Sequence, residues 1–291
     1  MTKLYTDTSA NLPLALLREY DIAVIPFSYT VNGVAEDYNE ETDFDGKAFY
    51  DAMRRGAEVK TSMVNPATAA AFFERALAQG DDVLYVGMSG GISGTAHAAA
   101  LAAEELREKY PRAKIMTIDT YAASLGEGLQ VLEAAELLRA GRSFEEVGDR
   151  ILARRPHMCQ FFTVDDLNYL KRGGRISKTA AIAGGLLNLK PVASIENGRV
   201  NIIGKARGSR QGNNLLMQKI RDCGGVDFDL PVLLGYTGLS DALLSKYMED
   251  SRAVWEGHAD ALPQVQVGSV IGTHGGPGAV VAAFFRKGSR A

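Results

Sequence analysis

Short apolar runs alternate with helical stretches through the first half of the chain, and this alternation constrains the fold more than any other feature. The apolar runs cover residues 4–5, 22–25, 83–86 and 115–118, and the helical stretches cover residues 14–20, 67–78, 96–110 and 129–140. Strands that alternate with helices of this length form βαβ units around a mostly parallel sheet. The sequence therefore predicts an α/β fold that begins with a Rossmann-like domain carrying helices on both faces of its sheet.

The second half has a different order of elements. Its strands are predicted at 157–164, 191–195, 200–203 and 232–235, and its helices at 177–187, 213–222 and 241–249. An Asn-Gly pair at 197–198 is typical of a tight β-hairpin turn. Two further apolar runs follow at 265–272 and 279–285, and the second is short enough to be either a strand or a helix. We expect a C-terminal α/β domain with a mixed sheet, and a division into domains 1–155 and 156–291.

Charge and composition exclude several classes of protein. The 32 basic and 35 acidic side chains among 291 residues leave a net charge of −3. This balance argues against a general nucleic-acid binder, because such a protein needs a basic surface. Cys159 and Cys223 form no CxxC pair, so we expect free thiols in a reducing cytoplasm. We also expect neither a secretory signal nor stable membrane insertion, since no apolar run approaches ~18 residues.

Four small polar turns precede predicted helices. They lie at 6–9, 61–66, 89–95 and 119–124, and each carries hydroxyl side chains. A helix N-terminus has free backbone N–H groups and favours an anion, and loops that follow parallel strands meet at one edge of the sheet. Together the turns predict a site for an oxygen-rich anionic ligand, although each single turn is also explained by ordinary N-capping.

Sequence motifs for nucleotide and metal binding do not occur: there is no Walker loop, no complete GxGxxG fingerprint after a strand, and no HExxH, CxxC or EF-hand pattern. We therefore expect neither a metal nor a cofactor. One catalytic motif does match, since Gly87-Met-Ser89-Gly-Gly91 fits the GxSxG elbow of serine hydrolases and His274 follows later. A serine hydrolase that uses Ser89 and His274 is the alternative function, although no HGGG-type loop precedes the serine.

Two further segments carry groups that suit a ligand or a partner. His274 stands in Ile271-Gly-Thr-His-Gly-Gly-Pro-Gly278, where the glycines let a backbone or a ligand approach the imidazole closely. A histidine held in a tight turn explains the same residues. The loop at 171–178 holds four basic side chains, including Arg172 and Arg175. It is interpreted either as a solvated surface loop or as a docking site for an acidic or phosphorylated partner.

The polar turns and these two segments together resemble the DegV family of fatty-acid-binding proteins. The matching pieces are 6–9, 61–62 with 65–66, 90–95, 119–128, 162–177, 187–191, 204–208 and 271–278. They occur in the family's order along nearly the whole chain, and the segments 167–177 and 271–278 are the most specific. The resemblance implies two α/β domains that hold one long-chain fatty acid between them.

The resemblance also implies roles for individual residues. The fatty-acid carboxylate would meet Thr61, Ser62, Ser93 and His274, and the supporting glycines and hydroxyls would be Gly94, Thr95, Thr273 and Gly275. No catalytic residue is implied. Some members of the family are the lipid-carrying subunit of a bacterial fatty-acid kinase, in which a separate ATP-binding subunit phosphorylates the carboxyl group. By this analogy Arg172 and Arg175 face the kinase subunit. Transient contact of the protein with a membrane is also compatible with the resemblance.

This chain departs from the family pattern at two positions. Met63 replaces a common polar residue after the Thr-Ser pair, and Thr120 stands where serine is frequent. Either change would alter the hydrogen bonds to the head group or the preference for a chain. Both changes leave Ser93 and His274 in place, so the expected site is retained.

A fatty acid agrees with the residues because it needs an apolar slot that ends in a few polar donors. Burial of ~15 methylenes at about 0.8 kcal/mol each gives roughly 12 kcal/mol before the costs of binding. Each hydrogen bond to the carboxylate adds only about 1.5–3 kcal/mol. We therefore expect the tail to supply affinity and the head-group residues to stabilise the buried charge. A serine hydrolase and a binding module for small anions remain the alternatives.

Overall fold

A computed structural model describes residues 1–36, 44–176 and 189–288. The strands are β1 (Thr2–Asp7), β2 (Ala23–Ile25), β3 (Ser28–Val31), β4 (Val34–Glu36), β5 (Val59–Ser62), β6 (Asp82–Gly87), β7 (Ile115–Asp119), β8 (Met158–Thr163), β9 (Leu189–Glu196), β10 (Arg199–Arg207), β11 (Val232–Tyr236), β12 (Gln264–Gln266) and β13 (Val280–Phe285). The helices are α1 (Leu14–Glu19), α2 (Gly46–Arg54), α3 (Pro66–Leu77), α4 (Thr95–Lys109), α5 (Leu125–Arg139), α6 (Phe144–Arg154), α7 (Leu167–Arg172), α8 (Gly208–Asp222), α9 (Ala242–Asp250) and α10 (Ser269–Gly275).

The first sheet, called sheet A, is parallel throughout and has the strand order β2-β1-β6-β7. Successive side chains of a strand point to opposite faces. Tyr5 and Tyr85 accordingly pack with α3 and α4, whereas Leu84 and Val86 pack with α5 and α6. Helices therefore cover both faces of the sheet. The parallel N-terminal sheet predicted from the alternation of strands and helices is confirmed.

Helix α3 begins and ends at residues that suit these positions. The Asn65 side chain accepts a hydrogen bond from the Thr68 N–H at 2.9 Å, and Pro66 occupies the first helical position. Both features stabilise a helix N-terminus. Gly80 follows the end of the helix with φ of +84°, in the left-handed region that glycine adopts without strain. The cap at Asn65 lies three residues after β5, which carries the predicted site residues Thr61 and Ser62.

The second sheet, called sheet C, has the strand order β10-β9-β8-β13-β11-β12. Its neighbouring strands are antiparallel except for the parallel pair β11 and β12. The apolar run at 279–285 forms the central strand β13. The turn between β9 and β10 has φ of +50° at Asn197 and +74° at Gly198, as a type I′ hairpin turn requires. The predicted mixed sheet is confirmed.

Helix α5 lies between the two sheets. Its residues from Leu125 to Ala135 are all buried, and the helix contacts β1 and β6 of sheet A as well as β8, β11 and β13 of sheet C. A helix covered on all sides is part of the core. The strands of sheet A precede residue 155 and those of sheet C follow it, and the division into domains 1–155 and 156–291 stays a prediction.

Sequence analysis missed a small antiparallel sheet, called sheet B, with the order β4-β3-β5. Its strands are only three or four residues long, which is too short for a periodicity to be recognised. The sheet packs on α2 through the edge-to-face contact of Tyr29 with Phe49, and β5 carries Thr61. The helix predicted at 177–187 lies outside the described residues. Within the described ranges, no helix combines the length and the apolar character that a bilayer span requires.

Candidate functional site

An apolar slot runs between the start of α5, helix α10 and the face of sheet C that carries Phe162 and Val281. The cavity volume of the slot is about 80 Å³, so the slot is narrow. Its mostly apolar lining with a few polar side chains is typical of small-molecule sites. Further apolar side chains that line the slot are Phe27, Ile92, Ile195, Val267 and Val270.

The slot opens into a shallow polar groove. Thr61, Ile92, Ser93 and Arg175 border both the slot and the groove, so they mark the mouth. The groove is also lined by Ser62, Met63, Gly90, Gly91 and Gly94. An amphipathic ligand therefore finds an apolar channel on one side of the mouth and polar groups on the other.

Thr61 and His274 meet at the mouth from different parts of the chain. Thr61 lies on β5 and His274 on α10, and their Oγ1 and Nε2 atoms are 2.9 Å apart. Burial, with a smaller contribution from the nearby Arg175 guanidinium, lowers the pKa of His274 to about 4. The imidazole is therefore neutral at pH 7, and it offers one hydrogen-bond donor and one acceptor.

The low pKa of His274 predicts a pH-dependent stability in the lipid-free protein. The unfolded imidazole has a pKa near 6.5 and the folded one near 4, so the neutral form stabilises the fold above pH 6.5. This contribution is lost as the pH falls toward 4. Between pH 7.5 and 4.5, urea unfolding should show that the wild type loses roughly 2–3 kcal/mol more than His274→Gln, which does not titrate there. Equal losses in both proteins would contradict the assignment.

Ser93 is held in place by the start of α4. Its Oγ atom lies 3.0 Å from Thr95 Oγ1 and accepts a hydrogen bond from the Thr95 N–H at 3.3 Å. Thr95 Oγ1 in turn accepts from the Val64 N–H at 3.3 Å. When the Thr95 hydroxyl donates to Ser93, the proton of Ser93 remains available for an anionic ligand. Ser93 is 7% exposed, so this donor is largely shielded from water.

Arg175 supplies a positive charge at the mouth. Its guanidinium donates to the Gly173 carbonyl oxygen, and burial lowers the pKa of the side chain, which nevertheless stays cationic because free arginine has a pKa above 12. Among the residues described by the structure, no carboxylate forms a salt bridge with Arg175. A half-buried cation without such a partner favours a bound carboxylate.

The other predicted site residues differ in their positions. Gly275 lines the slot, and Thr95 supports Ser93 as described above. Gly94 lies in the groove, where a β-carbon would come within 2.6 Å of the Met63 sulfur. The Thr273 hydroxyl donates to the Ser269 carbonyl oxygen within α10 at 2.7 Å and is not among the residues that line the slot.

Arg172 is exposed on α7. Its guanidinium lies over the Tyr169 ring, 4.6 Å from the ring centre, and the residue lines neither the slot nor the groove. The structure therefore separates two arginines that the sequence places in one loop. Arg175 borders the mouth, and Arg172 lies on the outer surface, where a partner protein can reach it.

The turn at 6–9 does not contribute to the slot, because its polar groups are used in the core. Asp7 and Glu127 are buried and both contact the Ser9 hydroxyl. Asp7 also accepts from the Tyr85 hydroxyl at 2.7 Å and from the Met88 N–H at 3.3 Å. Burial raises the pKa of Asp7 and raises the pKa of Glu127 well above its usual value. These groups form a hydrogen-bonded network beneath the site.

The turn at 119–124 forms hydrogen bonds mostly with the loop at 87–90. Asp119 accepts from the Gly90 N–H at 2.9 Å, and the Thr120 hydroxyl donates to the Gly87 carbonyl oxygen at 2.8 Å. Thr120, one of the two departures from the family pattern, is fully buried and does not line the slot. Of the hydroxyl side chains in this turn, only Ser124 reaches the wall of the slot.

The geometry of a serine hydrolase is not found at Ser89. This residue is 1% exposed, and its hydroxyl donates to the Gly198 carbonyl oxygen at 2.9 Å. His274 forms its hydrogen bond with Thr61 instead. Since a nucleophilic serine needs a base within hydrogen-bond reach, the GxSxG match does not support hydrolysis. In the part of the chain that the structure describes, no cluster of three or more His, Cys, Asp and Glu side chains is arranged to hold a metal ion.

Of the polar residues that line the slot, sequence analysis missed Gln160 and Thr237, whereas Ser124 lies in the polar turn predicted at 119–124. Gln160 interrupts the apolar residues of β8, and this contrast is the signal by which it could have been found. Ser124 has φ of +56°, which the sequence does not reveal. Thr237 is remote in sequence from every recognised motif.

Comparison with known proteins places the whole chain in one family. The profile of the family described as "Uncharacterised protein, DegV family" matches residues 1–287. A DegV domain-containing protein of Clostridium perfringens is 33% identical in an alignment 288 residues long that covers 97% of this chain and 96% of the relative. The match therefore covers both halves of the chain, including both sheets.

Two solved structures are similar along their full length. A fatty-acid-binding DegV family protein from Thermus thermophilus is 31% identical, with a TM-score of 0.82 over 98% of this chain and 99% of its own. A stearic-acid-binding protein from Eubacterium ventriosum is 26% identical, with a TM-score of 0.85 over 99% of both chains. The mixed α/β architecture is thus that of known DegV structures.

Proposed function

Because this chain belongs to the DegV family, we propose that it binds one long-chain fatty acid, with the tail in the apolar slot and the carboxylate at the mouth. The observation that carries this proposal is the slot itself, which is lined mostly by apolar side chains and ends at Thr61, Ser93, Arg175 and His274. The similar proteins from Thermus thermophilus and Eubacterium ventriosum bind fatty acids, and the second binds stearic acid.

The mouth offers a carboxylate three kinds of partner. The Arg175 guanidinium supplies charge, the Ser93 hydroxyl supplies a shielded donor, and Thr61 with the neutral His274 supplies a hydrogen-bonded pair. Ser62 borders the groove on the solvent side of the mouth. Charge-assisted hydrogen bonds of this kind orient the head group, while burial of the tail supplies most of the affinity.

The slot has walls from both halves of the chain. Phe27 and Ile92 come from the proposed domain 1–155, and Phe162 comes from the proposed domain 156–291. A ligand in the slot would thus lie between the two domains. This position is common for small-molecule sites.

We further propose that the protein presents the bound carboxylate to a separate ATP-dependent fatty-acid kinase, which forms an acyl phosphate. The support for this step is the groove at the mouth. It is open to solvent, it includes the glycines Gly90, Gly91 and Gly94, and it borders Arg175. A carboxylate held there is within reach of an incoming phosphate, and Arg172 on the adjacent surface offers a charge to the partner.

Extraction of the purified protein tests lipid binding directly. The protein is denatured and extracted with organic solvent, and the extract is quantified by mass spectrometry. We expect close to one long-chain fatty acid per chain. An extract without a long-chain acid, from protein that also fails to take up added stearate, would contradict the proposal. In parallel, a fluorophosphonate probe should leave Ser89 unlabelled, because its hydroxyl is buried and bonded to Gly198.

Ser93→Ala should separate lipid binding from head-group presentation. The change removes one donor worth about 1.5–3 kcal/mol to a charged group and leaves the tail contacts intact. We expect the variant to retain most of its lipid, while acyl-phosphate formation with ATP and a fatty-acid kinase falls at least tenfold. Ser89→Ala is the matched control, and its rate should stay near that of the wild type. A Ser93→Ala protein that is fully loaded and reacts normally would remove this role.

Arg172→Ala should weaken the reaction with the kinase partner and spare lipid binding. The side chain is exposed and lies over Tyr169, so its loss removes a surface charge without changing the slot. We expect unchanged stearate affinity and a roughly tenfold slower formation of acyl phosphate at limiting partner concentration. Arg175→Ala serves as the comparison, since it should weaken the binding of stearate as well. An unchanged rate for Arg172→Ala would count against a docking role.

A further inference from the structure

The wall of the slot contains a glutamine whose carboxamide oxygen is unpaired. Gln160 lies on β8 opposite Ala283 of β13, is 3% exposed and lines the slot. Its carboxamide oxygen has no hydrogen-bond partner among the described residues. Buried polar groups in proteins are almost always hydrogen-bonded, so an orphaned carboxamide beside an empty apolar channel needs an explanation.

The carboxamide of Gln160 packs against the first turn of α5. A β-carbon at Gly126 would come within 2.3 Å of the carboxamide oxygen, so the glycine leaves room for this side chain beside the slot. Ser124, two residues earlier, also lines the slot and has φ of +56° and ψ of −135°. A serine in this sparsely populated conformation stores strain, which is a recurrent property of ligand sites.

The orientation of the Asn11 carboxamide determines whether the Ser124 hydroxyl can donate to a ligand. When the Asn11 carboxamide oxygen accepts from the Gly268 N–H at 3.2 Å, its nitrogen donates to Ser124 Oγ at 2.8 Å. The proton of Ser124 then has no acceptor in this arrangement. Thr237 differs, since its hydroxyl donates to the Gly276 carbonyl oxygen at 2.6 Å and accepts from the Ala279 N–H at 2.7 Å.

We infer that Gln160 and Ser124 form a polar subsite for a hydroxyl group carried on the acyl chain, so that the slot selects long-chain hydroxy fatty acids. This inference rests on the proposed fatty-acid binding and adds the class of chain that is preferred. A hydroxyl both donates and accepts a hydrogen bond, so it pairs with the carboxamide in either orientation. A plain methylene chain leaves the buried carboxamide unpaired, which weakens its binding.

The position of Gln160 places the subsite at the middle of the chain and not beside the carboxylate. Helix α10, which carries His274, packs on α7, and α7 follows directly after β8. The mouth therefore lies at the C-terminal end of β8, near Val164. Gln160 is four residues deeper along the strand, which corresponds to roughly 13 Å at about 3.3 Å per residue. A hydroxyl near the α-carbon would fall short of it.

Binding of hydroxylated acids to delipidated protein tests the inference. The ligands are octadecanoate, octadecanoate with a hydroxyl at about carbon 10, and octadecanoate with a hydroxyl on the β-carbon. We expect the mid-chain hydroxy acid to bind the wild type roughly threefold to tenfold more tightly than plain octadecanoate. The β-hydroxy acid should show no such gain, because its hydroxyl stays at the mouth.

Gln160→Met is the matched variant, because methionine keeps the length and flexibility of the side chain and removes its polar atoms. In this variant the preference for the mid-chain hydroxyl should disappear, so that octadecanoate and the mid-chain hydroxy acid bind with equal affinity. A wild type that binds both acids equally, or a preference that survives in Gln160→Met, would overturn the inference while leaving lipid binding intact. Failure of the wild type to bind any of the three acids would overturn the proposed function and this inference together.

Discussion

Val281→Phe is expected to weaken the binding of stearate about a hundredfold while the protein remains folded. Val281 lies on the central strand β13 opposite Phe162, is 5% exposed and lines the slot. The larger ring would extend into the empty space and displace three to four methylenes of the tail. At about 0.8 kcal/mol per methylene, this loss corresponds to roughly 3 kcal/mol, or a factor near 100 in the dissociation constant.

The control for this substitution is Val34→Phe. Val34 lies on β4, is 65% exposed and does not line the slot, so the same change there should leave stearate binding unaltered. Isothermal titration of delipidated protein gives both affinities, and thermal unfolding shows whether each variant is folded. Equal affinities for Val281→Phe and the wild type would contradict the placement of the tail along β13.

A large difference in stability is expected between variants of the two buried carboxyl groups, Asp7 and Glu127. The Ser9 hydroxyl contacts both Asp7 and Glu127 but has a single proton to donate. Asp7 already accepts from the Ser9 and Met88 N–H groups and from the Tyr85 hydroxyl. The consistent arrangement has a protonated Glu127 that donates to Ser9, and a Ser9 that donates to an ionised Asp7. The pKa of Glu127, raised well above its usual value by burial, agrees with this assignment.

Isosteric amides distinguish the two carboxyl groups. Asp7→Asn places an NH₂ group where the carboxylate accepts hydrogen bonds, so that two donors face each other. We expect the free energy of unfolding at pH 7 to fall by on the order of 2–4 kcal/mol. Glu127→Gln keeps a donor facing Ser9 and should stay within about 1 kcal/mol of the wild type. Urea unfolding of both variants measures the difference. Similar losses in the two variants would contradict the assignment of the proton to Glu127.

The same network has a pH dependence whose sign follows from the raised pKa of Glu127. A carboxyl group whose folded pKa lies above its unfolded value stabilises the protein when it is protonated in both states, and this contribution is lost as the pH rises through the folded pKa. The glutamine variant does not titrate. Glu127→Gln should therefore gain stability relative to the wild type as the solution becomes more alkaline.

The sheets and most helices were predictable because their signals are local. Helix α3 carries its own cap at Asn65 and its own stop at Gly80, and the hairpin between β9 and β10 carries its Asn-Gly turn. The strands β3, β4 and β5 were missed because they are three or four residues long. Their existence depends on packing against α2, which is a tertiary effect.

The candidate site was only partly accessible from the sequence. The residues at the mouth lie in recognisable segments, so the sequence predicts Thr61, Ser93 and His274, and the structure places all three at one end of the slot. The contribution of Arg175 to the mouth follows from the packing of α7 on α10, which no local pattern encodes. Gln160 was missed because its proposed role follows from a carboxamide oxygen that has no hydrogen-bond partner among the described residues, and the sequence does not show this.

A crystal structure of the protein with stearate would show where the acyl chain and its carboxylate bind. We expect continuous density for one acyl chain that follows β8 between Phe162 and Val281, with the carboxylate within hydrogen-bond distance of Ser93 and of Thr61 or His274. Density in a different cavity, a reversed chain with its carboxylate in the deep end, or a slot filled by side chains would contradict the account.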